Sequence, residues 1–578
     1  MFRTILAAAC AALFFASPVW AQPAARGAAP PTTAAATPAP PPEVPHTEVF
    51  IPMRDGIKLA ANVYRPEGAG PFPVIVARTP YLKDGRGAGA AAKRYVDAGF
   101  VYVVVDVRGK GHSEGFYAAF SDDIPDGYDT IEWIAAQPWS TSRVGITGGS
   151  ALGITANMAA IAAPPHLVAA YIVVAPTNRN DNSFMGGVLK DKDTIGWTRG
   201  QGGLTAEVEA GIRRSVIRGV LTDRNDMTQG LPYIRIPIYN VGGWYDIFDS
   251  GNTANFTYLQ NFGAEGARGN QKLLMGPFGH GPLSGDLAYP GADNLRAANG
   301  DQEIRWFNYW LKGEENGIMD EPPVRYYMMA SARKGALSPL NRFINTANWP
   351  PASRETRYYA SADGGLSTRR PTSDQSFLSY RFDPANPVPT FGGANLTFDR
   401  GPMDQRAVAP RQDYLRFQTP VLAGNVVIAG KVSVEVWGAT DGPDTDFMAK
   451  LIDVYPDGYE ALVLDAPIRA RYRNGRMRDE VRMMTPGAPE RLVIDMWQTA
   501  ITFEKGHRIM LVITSSNAPR FEVNPNTGEA PGFNTLPARV ATNTVYFDRS
   551  RPTALVLPVI YPDEPPPTPA PPARRGRR

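Results

Sequence analysis

Six short runs of apolar, mostly β-branched residues constrain the fold of this chain more than any other feature: Val74–Ala77, Val101–Val105, Val144–Thr147, Tyr171–Val174, Ile236–Val241 and Lys272–Met275. Runs without polar alternation suit strands buried on both faces, and helical stretches between them return the chain for parallel pairing. The expected class is therefore α/β, a parallel sheet covered by helices. Ile304, Phe307, Trp310 and Leu311 recur at helical spacing and predict a last helix that stops at Gly313.

The pattern changes twice along the chain. Over 178–231 the strand signals vanish, while Leu204, Val208, Ile212, Val216 and Val220 repeat every fourth residue. One amphipathic helix is expected to dominate an inserted helical cap there, interrupting an α/β domain at 46–177 and 232–340. Over 341–561 the texture turns to short alternating strands. In Lys431–Trp437 the valines fall on one face, the mark of a half-buried antiparallel strand, so this region reads as a β-sandwich domain. A chain of 578 residues exceeds what a single ordinary core supports, which agrees with two domains.

The two ends read differently. Residues 1–21 combine Arg3, an apolar stretch from Ile5 to Ala16 and small residues at Val19 and Ala21, as in a secretory signal peptide. The stretch falls short of the roughly 20 residues that span a bilayer, so no integral membrane segment is expected after processing. Cleavage would remove Cys10, the only cysteine, leaving a periplasmic or secreted protein without disulfides or thiolate chemistry. Residues 22–45, rich in Pro and Ala, and the Pro-rich tail 562–578 lack the apolar content to fold and read as linker and flexible end. A net charge of +3 gives no electrostatic reason to expect nucleic acid as a partner.

The chemistry centres on Gly148-Gly-Ser-Ala-Leu-Gly153, where a buried strand runs into a glycine-flanked serine and then a helical stretch. A sharp strand-to-helix turn would lift the Ser150 hydroxyl above the sheet as a nucleophile. A helix N-cap serine in an ordinary βα turn would carry a similar pattern. The hydrolase pentapeptide also has glycine two residues after the serine, where this chain has Leu152. A base must complete such a site, and the chain offers five histidines: His46, His112, His166, His280 and His507. Only His280 lies both downstream of Ser150 and just beyond a sheet strand, where α/β folds gather catalytic groups. A carboxylate is expected between the two in chain order. Asp246 and Asp249 both follow the strand ending at Val241, and Asp246, nearer the strand end, is favoured, although either would also suit a helix cap. The Ala151 amide is the natural first oxyanion donor, and the Tyr81 phenol, in a loop after an early strand, is the candidate second.

In this order, Arg78-Thr-Pro-Tyr81, Asp106-Val-Arg-Gly109, Gly111-His-Ser-Glu-Gly115, Gly148–Gly153, Gly243-Trp-Tyr-Asp246, Gly276-Pro-Phe-Gly-His280, Trp306–Gly313, Gly401–Arg406 and Ser515–Phe521 resemble the CocE/NonD hydrolases. That family is related to X-Pro dipeptidyl-peptidases, cocaine esterase and α-amino-acid ester hydrolases. The resemblance implies an α/β-hydrolase domain with a C-terminal jelly roll. It also implies a triad of Ser150, Asp246 and His280, with Tyr81 and Ala151 as oxyanion hole. The best-known members carry tyrosine where this chain has Ala151, which leaves the amide donor in place but alters the pocket beside it. The expected activity is hydrolysis of a small-molecule ester or amide through an acyl-enzyme, with no metal or organic cofactor. The alternatives are X-Pro dipeptidyl-peptidase cleavage, for which the cap offers Asp191, Asp193, Glu207 and Glu209 as ammonium partners, and a non-catalytic carbohydrate- or surface-binding role. Solvated helix charges are the plainer reading of those four acids.

Overall fold

The structure, a computed structural model, describes residues 44–561 except 86, 203, 220–226, 291–300, 334–335 and 534. The expected signal peptide, nearly all of the linker, Val220 and the tail at 562–578 lie outside the described residues.

The apolar runs become the middle of a ten-stranded sheet. Its first six strands are β1 (His46–Pro52), β2 (Lys58–Tyr64), β3 (Phe72–Thr79), β4 (Val101–Asp106), β5 (Ser140–Gly149) and β6 (Leu167–Val173). After a small separate hairpin, β7 (Phe184–Met185) and β8 (Val188–Leu189), come β9 (Ile238–Tyr245), β10 (Lys272–Gly279) and β11 (Val324–Met328). A two-stranded ribbon, β12 (Ala332–Arg333) and β13 (Ala336–Leu337), precedes β14 (Arg342–Thr346). The order across the sheet is β1-β2-β4-β3-β5-β6-β9-β10-β11-β14. Pairing is parallel from β4 through β11, while β1, β2 and β14 pair antiparallel with their neighbours. The sheet thus continues past residue 340.

Alternate residues of each central strand feed two cores, one on each face, which is why these runs show no alternation of apolar and polar positions. Val74, Val76, Val103 and Ile146 pack under α2 (Asp123–Ala135) and α3 (Ala151–Ile161). Ile75, Tyr102, Tyr171 and Tyr239 pack under α1 (Ala88–Asp97) and the helix Gln302–Phe307. Full burial of each such side chain contributes about 1.5–3 kcal/mol. As expected, that last helix ends at Gly313, whose φ of +75° few other residues adopt, after a wider closing turn over Asn308–Lys312.

The cap departs from expectation. It holds several short helices rather than one dominant helix: α4 (Arg179–Ser183), α5 (Asp191–Gly200) and α6 (Ala206–Arg214). The four-residue repeat is present in the sequence, but the helix uses little of it. Leu204 precedes the N-cap Thr205, Val208 is exposed, and Val216 is buried beyond the helix end. The ten-residue cap helix α5 has few apolar residues and carries no periodic signal.

The C-terminal region is a sandwich of antiparallel sheets, one of seven strands and one of four. In Val426–Thr440 the valines at 432, 434 and 436 are fully buried between polar neighbours, as the alternation requires. This sandwich shares its core with the large sheet, because Trp244, Met275 and Tyr326 belong to the same apolar cluster as Val434 and Leu511. Backbone bonding reinforces the junction, with the Met329 N–H donating to Ala500 O at 3.0 Å. No helix among the described residues is long and apolar enough to cross a membrane.

Candidate active site

The serine sits on a strained turn. Ser150 links β5 to α3 with φ 57° and ψ −124°, a conformation that costs a non-glycine residue of order 1–3 kcal/mol and is found mainly at functional sites. Its side chain makes no capping bond to the helix, which removes the N-cap alternative. The turn depends on Gly148, where a Cβ would stand 2.4 Å from the backbone of Leu152. Leu152 itself is accommodated at the place of the usual glycine because its side chain packs into the apolar cluster on the other face. The close approach falls one residue later, at Gly153, whose Cβ would meet Ala175 at 2.7 Å.

Three side chains far apart in sequence converge above the sheet. His280, directly after β10, places Nε2 2.8 Å from Ser150 Oγ and Nδ1 2.8 Å from Asp246 Oδ2. Asp246, directly after β9, is fully buried, and its Oδ1 accepts the Phe248 N–H at 2.8 Å. Phe248 meets the imidazole edge-on at 5.4 Å and 88°. The sharp path of β9 beside β10 needs Gly243, since a Cβ there would lie 2.2 Å from Phe278 O. Asp249 is instead buried in the first turn of α7 (Asp249–Phe262), where desolvation pushes its carboxyl well above the usual carboxylate range. The imidazole bonds to Asp246 and not to this carboxyl. For His280, burial opposes the charged ring, but the charge and hydrogen bond of Asp246 outweigh it, so its pKa lies above the ordinary value of 6.5.

The other histidines lie elsewhere. His112 pairs with Glu48 and His166 with Glu132, both at 2.7 Å on the surface, and His46 packs on Tyr64. His507 is buried in the sandwich, 2.8 Å from Asp453 Oδ1 and 3.1 Å from Ser331 Oγ. This second grouping of Ser, His and Asp lacks the strained turn, for Ser331 is not among the described residues with positive φ. Its links run from the end of β11 into the sandwich, so it ties the two sheets together.

The oxyanion side is assembled around β3 and α3. Ala151 is the first residue of α3, so its N–H is one of the donors a helix leaves free at its start. Tyr81 follows β3 in a loop held from two sides. Arg78, fully buried, pairs with Asp123 at 2.9 Å, while Thr155 on α3 donates to Arg78 O at 2.9 Å. The Tyr81 N–H donates to Thr79 Oγ1 at 3.0 Å. Its phenol accepts the indole N–H of Trp197 at 2.9 Å and stands near enough to Ser150 to interact with it. Burial raises its pKa and these bonds only partly offset that, so the phenol stays protonated and able to donate.

A cavity of about 80 Å³ opens over Ser150. Its lining includes Phe120, Trp197, Phe248, Leu396, Arg179 and Asp193, of which the sequence singles out only Asp193, among the four cap acids. Leu396 comes from the sandwich, and its N–H donates to Asp193 Oδ1 at 3.2 Å, so the second domain closes the pocket. Of the four cap acids, Asp191 and Glu209 pair with Arg213 at 2.7 and 2.8 Å, and Glu207 is exposed in the first turn of α6. Asp193 differs: it is 8% exposed, and its Oδ2 has no hydrogen-bond partner. Burial raises its pKa, against the lowering effect of Lys190 and Arg520. The reading of these four as solvated helix charges therefore fails for Asp193. Asp191 and Asp193 stand two apart on α5 and face different ways, a distinction that only the helix placement reveals.

Comparison with known proteins agrees with this architecture. Residues 55–218 match the X-Pro dipeptidyl-peptidase (S15 family) profile, and residues 316–556 match the X-Pro dipeptidyl-peptidase C-terminal non-catalytic domain. Over 89% of its length the chain is 29% identical to the cocaine esterase of Rhodococcus sp. (strain MB1 Bresler), 98% of which is covered. The chain carries the two domains of X-Pro dipeptidyl-peptidases of the S15 family. Among solved structures, the chain is similar to an aminopeptidase from a marine sediment Thaumarchaeota archaeon, with TM-score 0.78 and 24% identity over 91% of this chain and 99% of the other. It is also similar to an α-amino acid ester hydrolase, with TM-score 0.73 and 25% identity over 89% of this chain and 96% of the other. With these matches, the chain is a serine hydrolase.

Proposed function

We propose that this hydrolase cleaves esters or amides of small acyl groups through an acyl-enzyme on Ser150. The observation that carries the proposal is the continuous relay from Ser150 Oγ through His280 to Asp246, with both hydrogen bonds at 2.8 Å. Ser150 Oγ attacks the carbonyl carbon as His280 Nε2 takes its proton, and Asp246 stabilises the imidazolium that forms. The oxyanion accepts hydrogen bonds from the Ala151 N–H and the Tyr81 hydroxyl, each donor contributing roughly 2.7–4 kcal/mol to the transition state. His280 then protonates the leaving group, and in the second step it activates water to release the acid. None of these steps calls on a metal or organic cofactor. A fluorophosphonate probe is expected to add covalently to Ser150, seen by intact mass and absent in Ser150→Ala. Folded wild-type protein that remains unlabelled would rule the reading out.

A second reading concerns the acyl group. Asp193 lines a cavity shared with Ser150 while its Oδ2 has no hydrogen-bond partner, and a substrate ammonium there would supply one to this buried carboxylate. Substrates of this kind include amino-acid esters and peptides with a free N-terminus. Asp193→Asn is expected to lower kcat/KM for a glycine or alanine aryl ester by roughly 10–100-fold, in line with a charge-assisted hydrogen bond of about 1.5–3 kcal/mol. Hydrolysis of the corresponding acetyl ester should change little. An equal loss on both substrates would place Asp193 in the scaffold instead.

A further inference from the structure

The cap contributes more than a roof over the pocket. Trp197, on α5, stacks on Phe120 with ring centroids 5.6 Å apart and planes within 12°, while the Arg179 guanidinium lies 4.2 Å over the other aromatic partner, Phe120. This packing fixes the indole so that Nε1–H donates to the Tyr81 phenol oxygen at 2.9 Å. An indole nitrogen can only donate, whereas a phenol both donates and accepts. A Tyr81 oxygen that accepts from Trp197 therefore has its own hydrogen left to send toward Ser150. Trp197 thus donates to Tyr81, while in the relay Ser150 donates to His280 Nε2 and the His280 Nδ1–H to Asp246, which leaves the Tyr81 hydrogen, beside Ser150, for the substrate oxygen.

We infer that Trp197 is a positioning residue that orients the Tyr81 hydroxyl toward the oxyanion, so that the cap completes the oxyanion hole. The inference rests on the reading of Tyr81 as an oxyanion donor. When negative charge develops on the substrate oxygen, the phenol turns its hydrogen from Ser150 to that atom without losing the bond from the indole. Donation from Trp197 also polarises the phenol and strengthens its own donation, as in any chain of hydrogen bonds. Without Trp197, the hydroxyl would rotate to find water or another acceptor, and part of each catalytic encounter would begin with the donor pointing away.

The test is a double-mutant cycle on an aryl ester, comparing wild type, Trp197→Phe, Tyr81→Phe and the double variant. Trp197→Phe keeps an aromatic ring on Phe120 and removes the donor. It is expected to lower kcat roughly two- to tenfold, the range for one neutral hydrogen bond, with KM nearly unchanged. In the Tyr81→Phe background the same substitution should have almost no effect on kcat. Should the Phe variant fold poorly, benzothienylalanine at position 197, which replaces only the indole N–H by sulfur, should reproduce the loss. The same fractional loss in both backgrounds would mean that Trp197 acts by packing alone and would overturn the inference. Near-normal kcat for Tyr81→Phe by itself would instead reject the oxyanion role of Tyr81, and the positioning role with it.

Discussion

Ser150→Ala and His280→Ala are each expected to lower kcat by roughly a million-fold, about 8 kcal/mol of transition-state stabilisation, and the double variant should fall little further. The two side chains form a single device. Without the imidazole, the Ser150 hydroxyl keeps its proton and is a weak nucleophile; without the hydroxyl, the imidazole has no nucleophile to activate. What survives in either case is the pocket and the two oxyanion donors, which act on any water that reaches the carbonyl. Rates measured with an activated aryl ester over long incubations, alongside circular dichroism of each variant, check this. Losses that multiply in the double variant would mean that the two groups act independently and that the 2.8 Å contact between them is incidental.

The second large effect concerns Asp246→Asn, expected to lower kcat about ten-thousand-fold at neutral pH while leaving the fold intact. An asparagine can fit the same buried site, but its amide would donate to His280 Nδ1 rather than accept from it. The ring would then carry its hydrogen on Nε2, facing Ser150, and could not take the serine proton. The pH profile gives an independent sign. In the wild type His280 must be neutral to act as base, and its pKa lies above 6.5 because Asp246 outweighs the effect of burial. The acid limb of kcat/KM is therefore expected at a pH above 6.5, with activity falling as pH drops through it. In Asp246→Asn the larger raising influence is lost and that of Asp193 remains, while burial and the neighbouring Arg400 still oppose the imidazolium, so the residual acid limb should move to lower pH. An unmoved limb would assign the titration to another group.

Much of this site is legible in the sequence because its parts are tied to strand ends. Ser150, Asp246 and His280 each come immediately after a continuous apolar run, and runs of that kind can only be central strands. Parallel pairing places all such ends on one rim, so residues distant in sequence become neighbours. The oxyanion loop is legible for the same reason, since Tyr81 closely follows β3. Only the structure separates Asp246 from Asp249: Asp246 Oδ2 meets His280 Nδ1 at 2.8 Å, while Asp249 lies within the first turn of α7.

The cap and the pocket walls are another matter. Trp197 and Asp193 lie on a ten-residue helix whose apolar content is too low to announce itself, and a four-residue repeat nearby points to a longer helix that does not form. Leu396 belongs to the other domain and reaches the pocket through a loop, which carries no periodicity at all. Local pattern reports the burial of a segment against something, never the identity of its partner.

The sequence by itself determined the fold class, the strand ends that carry Ser150, Asp246 and His280 and the choice of His280 among the histidines, because strand burial and chain order are written locally. Tertiary structure alone decided which cap acid faces the serine, which indole meets the oxyanion phenol and how the sandwich closes the pocket. Those depend on contacts between elements, and contacts between distant segments are set by packing rather than by the residues of either segment alone.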